Sequence, residues 1–325
     1  MIFPMYIDGK WFEGEGRQMQ DVISPGSGEV LGRIPLGTPE DADAALQAAK
    51  KAAPALAAMT VFERAEICYR IADKIDENQE ELAKLLTAEH GKPYHSEALG
   101  EVAACALAFR DAAEQIKWMD GKVVALRDKD ARCLVTRRPK GIFAVITPWN
   151  FPLGTACQYY LAAGIAVGDP MVWNPATTTA AVASALMKCF EGVGLPAGAV
   201  NLVIGKGSVV GDALSAHPLT AGIGFTGSTV TGNIICERAK CKHTSMELGG
   251  DGPCIVLKDA DLDVAAQGLM NGSFLNAGQV CTSTERVLVD DAIADALVAK
   301  ILEKMQTQYQ LGDPFDAKTT MGPMH

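Results

Sequence analysis

The sequence predicts an α/β protein built around a doubly wound parallel sheet. Between residues 141 and 257, short apolar runs alternate with segments of helical periodicity, which is the pattern of βαβ units. Two glycine-rich turns in this region each follow a predicted strand and open a predicted helix. The chain has 325 residues, of which 48% are hydrophobic, so it is long enough for two domains with a large core.

Charge and cysteine usage narrow the class of protein. The net charge of −10 disfavours nucleic acid and anionic membranes as partners and favours a soluble protein. Nine scattered cysteines without Cys-x-x-Cys spacing indicate a reduced, cytoplasmic protein without disulfides or structural zinc. No apolar run is long enough to span a membrane, no signal peptide is recognisable, and the dispersed histidines predict no metal site.

The first part of the chain reads as strands and then helices. Residues 1–36 predict short strands and turns, with a hairpin at 6–11. Thr38 and the following proline start a helix that reaches about residue 58 and is interrupted near Pro54. Two further helices are predicted, at 62–89 and 96–119, and we expect all three to pack around a domain.

Residues 120–140 change to β-type composition around a charged turn, which predicts a protruding hairpin. Its unpaired edge suits oligomerisation, although a simple surface hairpin fits the pattern equally well. The alternating region that follows predicts strands at 142–147, 171–173, 200–204, 222–225 and 254–257, and helices near 154–166, 178–193, 208–215 and 229–240.

The two glycine-rich turns point to a dinucleotide. The first, 205–211, includes Gly207 and Gly211, but it is one residue too long for GxGxxG, and a plain turn fits it equally well. The second begins at Gly227 and Ser228, where free N–H groups and a hydroxyl at a helix start suit a diphosphate. Two such turns in one βαβ array favour a Rossmann-like cofactor domain.

Cys281 lies on the turn between a helix that begins near residue 262 and a strand at 286–289, so we interpret it as an accessible nucleophile. No histidine lies in a nearby motif, which disfavours a Cys–His protease. The other thiols lie in or beside helical and strand patterns and read as small core residues: Cys68, Cys105, Cys133, Cys157, Cys189, Cys236, Cys241 and Cys254.

Two further side chains complete a candidate site. Asn150 follows a strand end, where its amide could donate to a developing oxyanion, although a turn-capping asparagine explains it alone. Glu247 lies among apolar residues and glycines, and a desolvated glutamate of raised pKa can act as a general base. An ordinary loop glutamate is the alternative.

These segments resemble the aldehyde dehydrogenase superfamily over essentially the whole chain. Its four main signatures are matched in order by ITPWNFP (146–152), GFTGST (224–229), MELGG (246–250) and NAGQVC (276–281). The resemblance implies that the Cys281 thiolate attacks an aldehyde and that the Asn150 amide and the Cys281 N–H hold the oxyanion. Hydride would then pass to NAD(P), and Glu247 would activate the water that hydrolyses the thioester, which favours this route over CoA acylation.

The resemblance also implies contacts to the cofactor at Thr147, Trp149, Asn174, Thr177, Gly207, Gly211, Phe225, Gly227, Ser228 and Leu248. Asn174 stands where the family usually has a lysine that holds the adenosine ribose. Thr177 stands where NAD-preferring members often have glutamate. The choice between NAD and NADP is therefore open, with a slight preference for NAD because no replacement cation for a 2′-phosphate is evident.

A second departure follows Asn150. The family usually has a lysine in the next helix, whereas no lysine or arginine occurs here before Lys188, and the segment reads Gln158-Tyr159-Tyr160. The tyrosines could shape an aromatic substrate entrance, but helix packing is the interpretation we prefer.

The resemblance implies an NAD(P)-binding domain from 1–119 and 141–247, an oligomerisation hairpin at 120–140 and a partial catalytic domain at 248–325. Family members continue well beyond the position of His325, so we expect a fragment with exposed apolar faces and weak or no activity alone. An NAD(P)-dependent aldehyde dehydrogenase is the first hypothesis, and a silent fragment that acts only in assembly or binding is the alternative. Expected partners are a small aldehyde and, for the full-length form, a homodimer or homotetramer.

Overall fold

The computed structural model describes every residue from Met1 to His325. Its strands are β1 (Met5–Ile7), β2 (Lys10–Phe12), β3 (Gln18–Ile23), β4 (Val30–Leu36), β5 (Lys122–Val124), β6 (Cys133–Val135), β7 (Ile142–Ile146), β8 (Met171–Asn174), β9 (Val200–Leu202), β10 (Thr220–Thr226), β11 (His243–Glu247), β12 (Gly252–Val256) and β13 (Thr284–Val289). Its α-helices are α1 (Pro39–Ala58), α2 (Val61–Glu77), α3 (Gln79–His90), α4 (Leu99–Ile116), α5 (Ala162–Val167), α6 (Ala180–Met187), α7 (Asp212–Ala216), α8 (Thr229–Ala239), α9 (Leu262–Phe274) and α10 (Ala294–Gln308).

Seven strands form the central sheet in the order β11-β10-β7-β8-β9-β1-β2. The five strands from β11 to β9 are parallel, and β1 and β2 add an antiparallel edge. The chain runs outward from β7 through β8 to β9 and then returns to β10 on the other side of β7. This confirms the doubly wound prediction, and it puts the topological switch point, where such sheets bind ligands, between β7 and β10.

Glycines in β10 let neighbouring rings pack directly onto the sheet. A Cβ at Gly222 would lie 2.4 Å from the Phe143 ring, and one at Gly224 would lie 2.4 Å from the Tyr160 ring. Any side chain at these two positions would push the rings away. The apolar run of β10 therefore needs glycine for close contact rather than for a turn.

Two helix boundaries differ from the prediction. Helix α1 passes through Pro54 without a break, because Pro54 and Lys50 are both exposed and water can reach the Lys50 carbonyl that has lost its donor. The predicted helix at 62–89 is two helices that meet at Asn78, whose Nδ2 donates to the Lys74 carbonyl at 2.7 Å. This side-chain bond competes with the backbone ladder and ends α2.

Three predicted helices are present but are not α-helical throughout. The segments expected at 154–166 and 208–215 are helical over their whole predicted length and include π-helical turns, Ala156–Leu161 and Gly207–Gly211, before α5 and α7. Helix α6 ends at Met187 and continues only as a 3₁₀ turn, Lys188–Phe190. The first glycine-rich turn therefore leads into a helix of only five residues, α7.

Strand β11 was missed, and the predicted strand at 254–257 lies elsewhere than expected. Strand β11 reads His-Thr-Ser-Met-Glu, which is polar because β11 is an edge strand whose alternate residues are exposed. The run at 254–257 belongs to β12, which pairs in parallel with β13 in a separate two-stranded sheet. An apolar run in the sequence predicts a strand, but it does not reveal which sheet that strand joins.

Residues 252–302 pack around a small core of their own, made by Val256, Ala266, Leu269 and Leu297. The opposite face of the β12–β13 sheet is open: Ile255 is 67% exposed and Leu288 is 52% exposed. Within 120–140, β5 and β6 pair as an antiparallel ribbon with exposed apolar side chains. The domain boundaries stay a prediction. No helix combines the length and apolar character needed to cross a membrane.

Candidate active site

A cleft of about 800 Å³ lies at the carboxyl ends of β7, β10 and β11, beside the switch point. It is lined by Asn150, Glu247 and Cys281, which lie far apart in the sequence. The fold thus brings the three predicted catalytic side chains to one place. The Cys281 thiol is exposed to the cleft, as an attacking group must be.

The loop that carries Cys281 begins with two strained residues. Asn276 and Ala277, just after α9, have φ angles of 51° and 56°. This left-handed conformation costs about 1 kcal/mol or more for residues with a Cβ. It is held in place because the Asn276 N–H donates to Glu97 Oε1 at 2.9 Å and Asn276 Nδ2 donates to the Asn150 carbonyl at 3.0 Å.

Glycines after β11 allow the segment that follows Glu247 to approach the loop that carries Cys281. A Cβ at Gly250 would lie 2.5 Å from the Cys281 carbonyl oxygen, and one at Gly252 would lie 2.2 Å from the Ser283 carbonyl oxygen. Only glycine tolerates backbone this close. Gly250, the last residue of the 246–250 signature, and Gly252 are therefore required for contact between the two segments.

Two N–H groups are suitable for an oxyanion. Asn150 Nδ2 donates one hydrogen to the Gln279 carbonyl at 2.9 Å, which orients the amide and leaves its second hydrogen available. The backbone N–H of Cys281 donates to no group of the protein. When the sulfur is bound to a carbonyl carbon, the oxygen of that carbonyl group could accept hydrogen bonds from both donors, which is the arrangement of an oxyanion hole.

A buried ion pair, not foreseen from the sequence, supports the Asn150 loop. Lys92 Nζ lies 2.5 Å from Glu101 Oε2, and the two side chains are 1% and 3% exposed. Nζ also donates to the Asn150 carbonyl at 3.0 Å and lies 3.8 Å from the centre of the Phe151 ring. The other Glu101 oxygen accepts the N–H groups of residues 153 and 154. The pair therefore anchors the loop by its backbone.

The environment of Glu247 is not the one that the sequence predicted. It is the last residue of edge strand β11, and its side chain is exposed at the cleft rather than desolvated. The expectation of a buried carboxylate was wrong because side chains alternate along an edge strand, so that Met246 packs against the core while Glu247 is exposed at the cleft. Water can reach Glu247 directly, which a base that activates water requires.

The two tyrosines after Asn150 have different positions. Tyr160 is buried, and its hydroxyl lies 2.7 Å from Thr226 Oγ1, so the packing interpretation is correct for it. Tyr159 is 57% exposed and lines the cleft with Gln158. For Tyr159 the packing interpretation was wrong, because adjacent residues of one helical turn point in different directions.

Four of the ten predicted cofactor residues line the cleft: Trp149, Gly227, Ser228 and Leu248. Ser228 caps α8, since its Oγ accepts the Thr231 N–H at 3.2 Å. The first two N–H groups of α8, at Thr229 and Val230, have no partner within the helix. The start of α8 therefore offers N–H donors to an anion in the cleft.

The other six predicted cofactor residues do not line this cleft. Thr147 and Phe225 are buried beneath it, and Thr177, Gly207 and Gly211 lie beyond the ends of β8 and β9. Asn174 is 1% exposed, and Nδ2 donates to the carbonyls of Val203 and Gly205, each at 3.0 Å. Both amide hydrogens are therefore used within the protein, which leaves only Oδ1 for a ligand.

The remaining thiols are mostly enclosed. Burial raises the pKa of Cys68 and of Cys189 to about 12, so both stay protonated. Cys236 and Cys241 are exposed, contrary to the expectation of core residues, because they lie on the outer side and just beyond the end of α8. These two thiols are accessible but lie outside the cleft.

His90 packs behind the cleft with its ring fully buried. Its ring is stacked 4.9 Å from the ring of His325 and 6.0 Å from that of Trp149. Neither ring nitrogen has a hydrogen-bond partner. Burial, followed by the nearby positive charges of Lys92 and His325, lowers the pKa of His90 to about 2.

We expect His90 to make the fold sensitive to acid. Its ordinary pKa is 6.5 and its folded pKa is depressed, so below about pH 6.5 the unfolded chain takes up a proton that the folded chain does not. Stability from the neutral ring is present above that pH and declines as the pH falls. Urea unfolding of the native chain and His90→Phe should differ by a constant amount above about pH 7.5, and the native chain should lose stability faster below about pH 6. A difference independent of pH would contradict this.

Comparison with known proteins identifies relatives. A sequence model described as the aldehyde dehydrogenase family matches residues 11–325. The chain is 38% identical over 322 residues to the succinate-semialdehyde dehydrogenase (NADP(+)) of Escherichia coli, covering 98% of this chain and 66% of that protein. It is 39% identical over 325 residues to the lactaldehyde dehydrogenase of Methanocaldococcus jannaschii, covering 98% and 68%.

A solved structure has the same fold. The crystal structure of an NAD-dependent aldehyde dehydrogenase from Sinorhizobium meliloti matches with a TM-score of 0.95 at 36% identity. The match covers 100% of this chain and 65% of that one. The chain thus spans about two thirds of the length of the relatives that it matches.

Proposed function

Because the chain belongs to the aldehyde dehydrogenase family, as its four signatures predicted, we propose that it oxidises an aldehyde to a carboxylic acid with NAD or NADP as hydride acceptor. One observation carries the proposal: an exposed thiol, a carboxylate and an oriented amide line the same cleft. The names of the relatives suggest two substrate classes. One is a semialdehyde that carries a carboxylate, and the other is an uncharged hydroxyaldehyde.

The residues of the cleft have separate roles in this reaction. The Cys281 thiolate forms a bond to the aldehyde carbon, and the Asn150 amide and the Cys281 N–H stabilise the charge on its oxygen. A bound nicotinamide would supply the hydride acceptor, and loss of the hydride would leave the carbon as a thioester of Cys281. Glu247 removes a proton from water, the water attacks the thioester, and the acid leaves as the thiolate is restored.

The start of α8 supports cofactor binding. Its two unpartnered N–H groups, next to Gly227 and Ser228, suit the diphosphate shared by NAD and NADP. A Cβ at Gly227 would lie 2.5 Å from the Phe225 ring, so the turn is closely packed. The slight preference for NAD rested on the lack of a cation. However, the Asn174–Gly205 bond brings the segment with the exposed Lys206 beside the end of β8, so we propose both cofactors.

Replacing the proposed base should trap the intermediate. With Glu247→Gln, stoichiometric aldehyde and NAD(P) should give about one equivalent of NAD(P)H and then almost none, because the thioester is not hydrolysed. Intact-mass spectrometry after an acid quench should show the added acyl group, and peptide mapping should locate it on Cys281. Glu303→Gln, an exposed glutamate of α10 outside the cleft, is the control. Absence of both an acyl adduct and NAD(P)H in every variant would exclude the proposed function.

The assembly and the compartment are also proposals. The β5–β6 ribbon exposes apolar side chains, including Val123 at 77% and Leu134 at 69%, which supports contact with a second copy in a homodimer or homotetramer. All nine cysteines are free, which supports a reducing cytoplasmic environment.

A further inference from the structure

The charged side chains that line the thiol cleft are strongly unbalanced. They are the single cation Lys92 and the four carboxylates Glu97, Glu101, Glu247 and Glu285. Lys92 and Glu101 are buried against each other at 2.5 Å and neutralise each other, so neither is available to a ligand, and the carboxylates that remain are Glu97, Glu247 and Glu285. A substrate in this cleft therefore meets carboxylates and no free cation.

The strand that follows the thiol explains this imbalance. The pairing of β13 with β12 is irregular here: Thr284 pairs with Gly252 and Arg286 pairs with Pro253, which leaves Glu285 between them unpaired, as in a β-bulge. Arg286 turns away from the cleft and pairs with Asp251 at 2.9 Å. Glu285 turns into the cleft, is exposed and has no ion-pair partner. The start of β13 therefore presents a carboxylate to the cleft and keeps the neighbouring cation outside it.

A carboxylate of the substrate would be repelled from this cleft. Glu285 and Glu247 lie on different strands, and neither takes part in an ion pair or a side-chain hydrogen bond. The low-dielectric walls of a cleft strengthen charge interactions relative to open water. An anionic group near Cys281 would face both carboxylates without compensation, whereas a cationic group would be attracted by both.

We propose that the cleft takes a small aldehyde whose remainder is uncharged or cationic and rejects one that carries a carboxylate, and that Glu285 determines this specificity. That the substrate is an aldehyde rests on the proposed function. The charge preference does not, because it is a property of the cleft itself. It distinguishes this chain from a relative named for succinate semialdehyde, whose substrate is an anion.

The charge preference can be measured without turnover, by thiol labelling. A cationic reagent, 2-(trimethylammonio)ethyl methanethiosulfonate, is compared with the anionic 2-sulfonatoethyl methanethiosulfonate. In each case the Cys281 thiolate forms a disulfide with the reagent and methanesulfinate leaves. Peptide mass spectrometry isolates the rate at Cys281 from the rates at the exposed Cys236 and Cys241. For each reagent, the rate of labelling at Cys281 is divided by the rate at which the same reagent reacts with 2-mercaptoethanol.

We expect the normalised cation-to-anion ratio at Cys281 to exceed about ten at low ionic strength and to approach one at high salt. Glu285→Gln should lower the ratio about threefold or more, since one carboxylate is removed. Glu303→Gln, which changes the net charge equally but lies outside the cleft, should leave it unchanged. A native ratio of one or less, or a ratio that Glu285→Gln does not alter, would overturn the inference.

Pairs of isosteric aldehydes provide a second test of the charge preference. Trimethylammonioacetaldehyde and 3,3-dimethylbutanal differ only in a positive charge, and 4-oxobutanoate and 4-methylpentanal differ in a negative one. We expect kcat/KM for 4-methylpentanal to exceed that for 4-oxobutanoate at least about tenfold, with Glu285→Gln reducing the gap. Preference for the anion would overturn the inference. Lack of NAD(P)H from every aldehyde would instead exclude the proposed function, while the labelling ratio would still decide the charge preference.

Discussion

Replacing Cys281 with serine will lower NAD(P)H formation from a short aldehyde by at least about a thousandfold. The serine hydroxyl has nearly the size of the thiol but is a far weaker nucleophile, and no histidine lines the cleft to take its proton. The oxyanion donors remain, because one is the Asn150 amide and the other is the backbone at residue 281. The loss therefore reports covalent attack rather than binding.

The measurement uses stoichiometric protein, so that a single turnover is detected by NAD(P)H absorbance and by the acyl mass on the chain. Cys236→Ser is the matched control, since it removes an exposed thiol on α8, outside the cleft. Equal NAD(P)H formation by the native chain and Cys281→Ser would exclude covalent catalysis at this residue.

Replacing Lys92 with methionine will destabilise the fold by about 3–5 kcal/mol. Methionine retains the length and most of the apolar stem, but it leaves the Glu101 carboxylate buried without its counterion. The Asn150 carbonyl also loses one of its two donors and keeps only Asn276 Nδ2. The free energy of unfolding in urea measures the effect.

Two variants show whether the buried charge is the cause. In the double variant Lys92→Met with Glu101→Gln, no unpaired charge is left, and the loss should be smaller than the sum of the two single losses. Lys84→Met breaks an exposed pair with Glu80, and it should change stability by no more than about 0.5 kcal/mol. Additive losses at Lys92 and Glu101 would contradict coupling within the pair.

The candidate site was predictable as a set of residues because each member lies in a compact local pattern. Cys281 follows a helix on a turn, Asn150 follows an apolar strand, and Glu247 precedes two glycines. Their family signatures predicted the same three roles. What the pattern could not predict was the surroundings of each side chain, and Glu247 is the clearest case, since it was expected to be desolvated and is exposed.

The wrong predictions about strands and about Tyr159 have the same cause as the wrong prediction about Glu247. Strand β11 was missed because an edge strand does not need an apolar run, and β12 was placed in the wrong sheet because its partner β13 lies about 30 residues further along the chain. Tyr159 and Tyr160 are adjacent and chemically alike, but one lines the cleft and the other is buried. Each outcome depends on which distant segment packs against the residue.

By itself, therefore, the sequence determined the α/β class and the parallel strands of the central sheet, and it predicted the thiol, the amide and the carboxylate of the candidate site. These follow from periodicity, turn chemistry and short signatures, all of which act within a few residues. Only the tertiary structure decided that Lys92 is buried against Glu101, that Glu285 lines the thiol cleft while Arg286 does not, and that Asn174 has no amide hydrogen left for a ligand. Burial and charge pairing are settled by contacts between residues that are distant along the chain, and no local pattern encodes them.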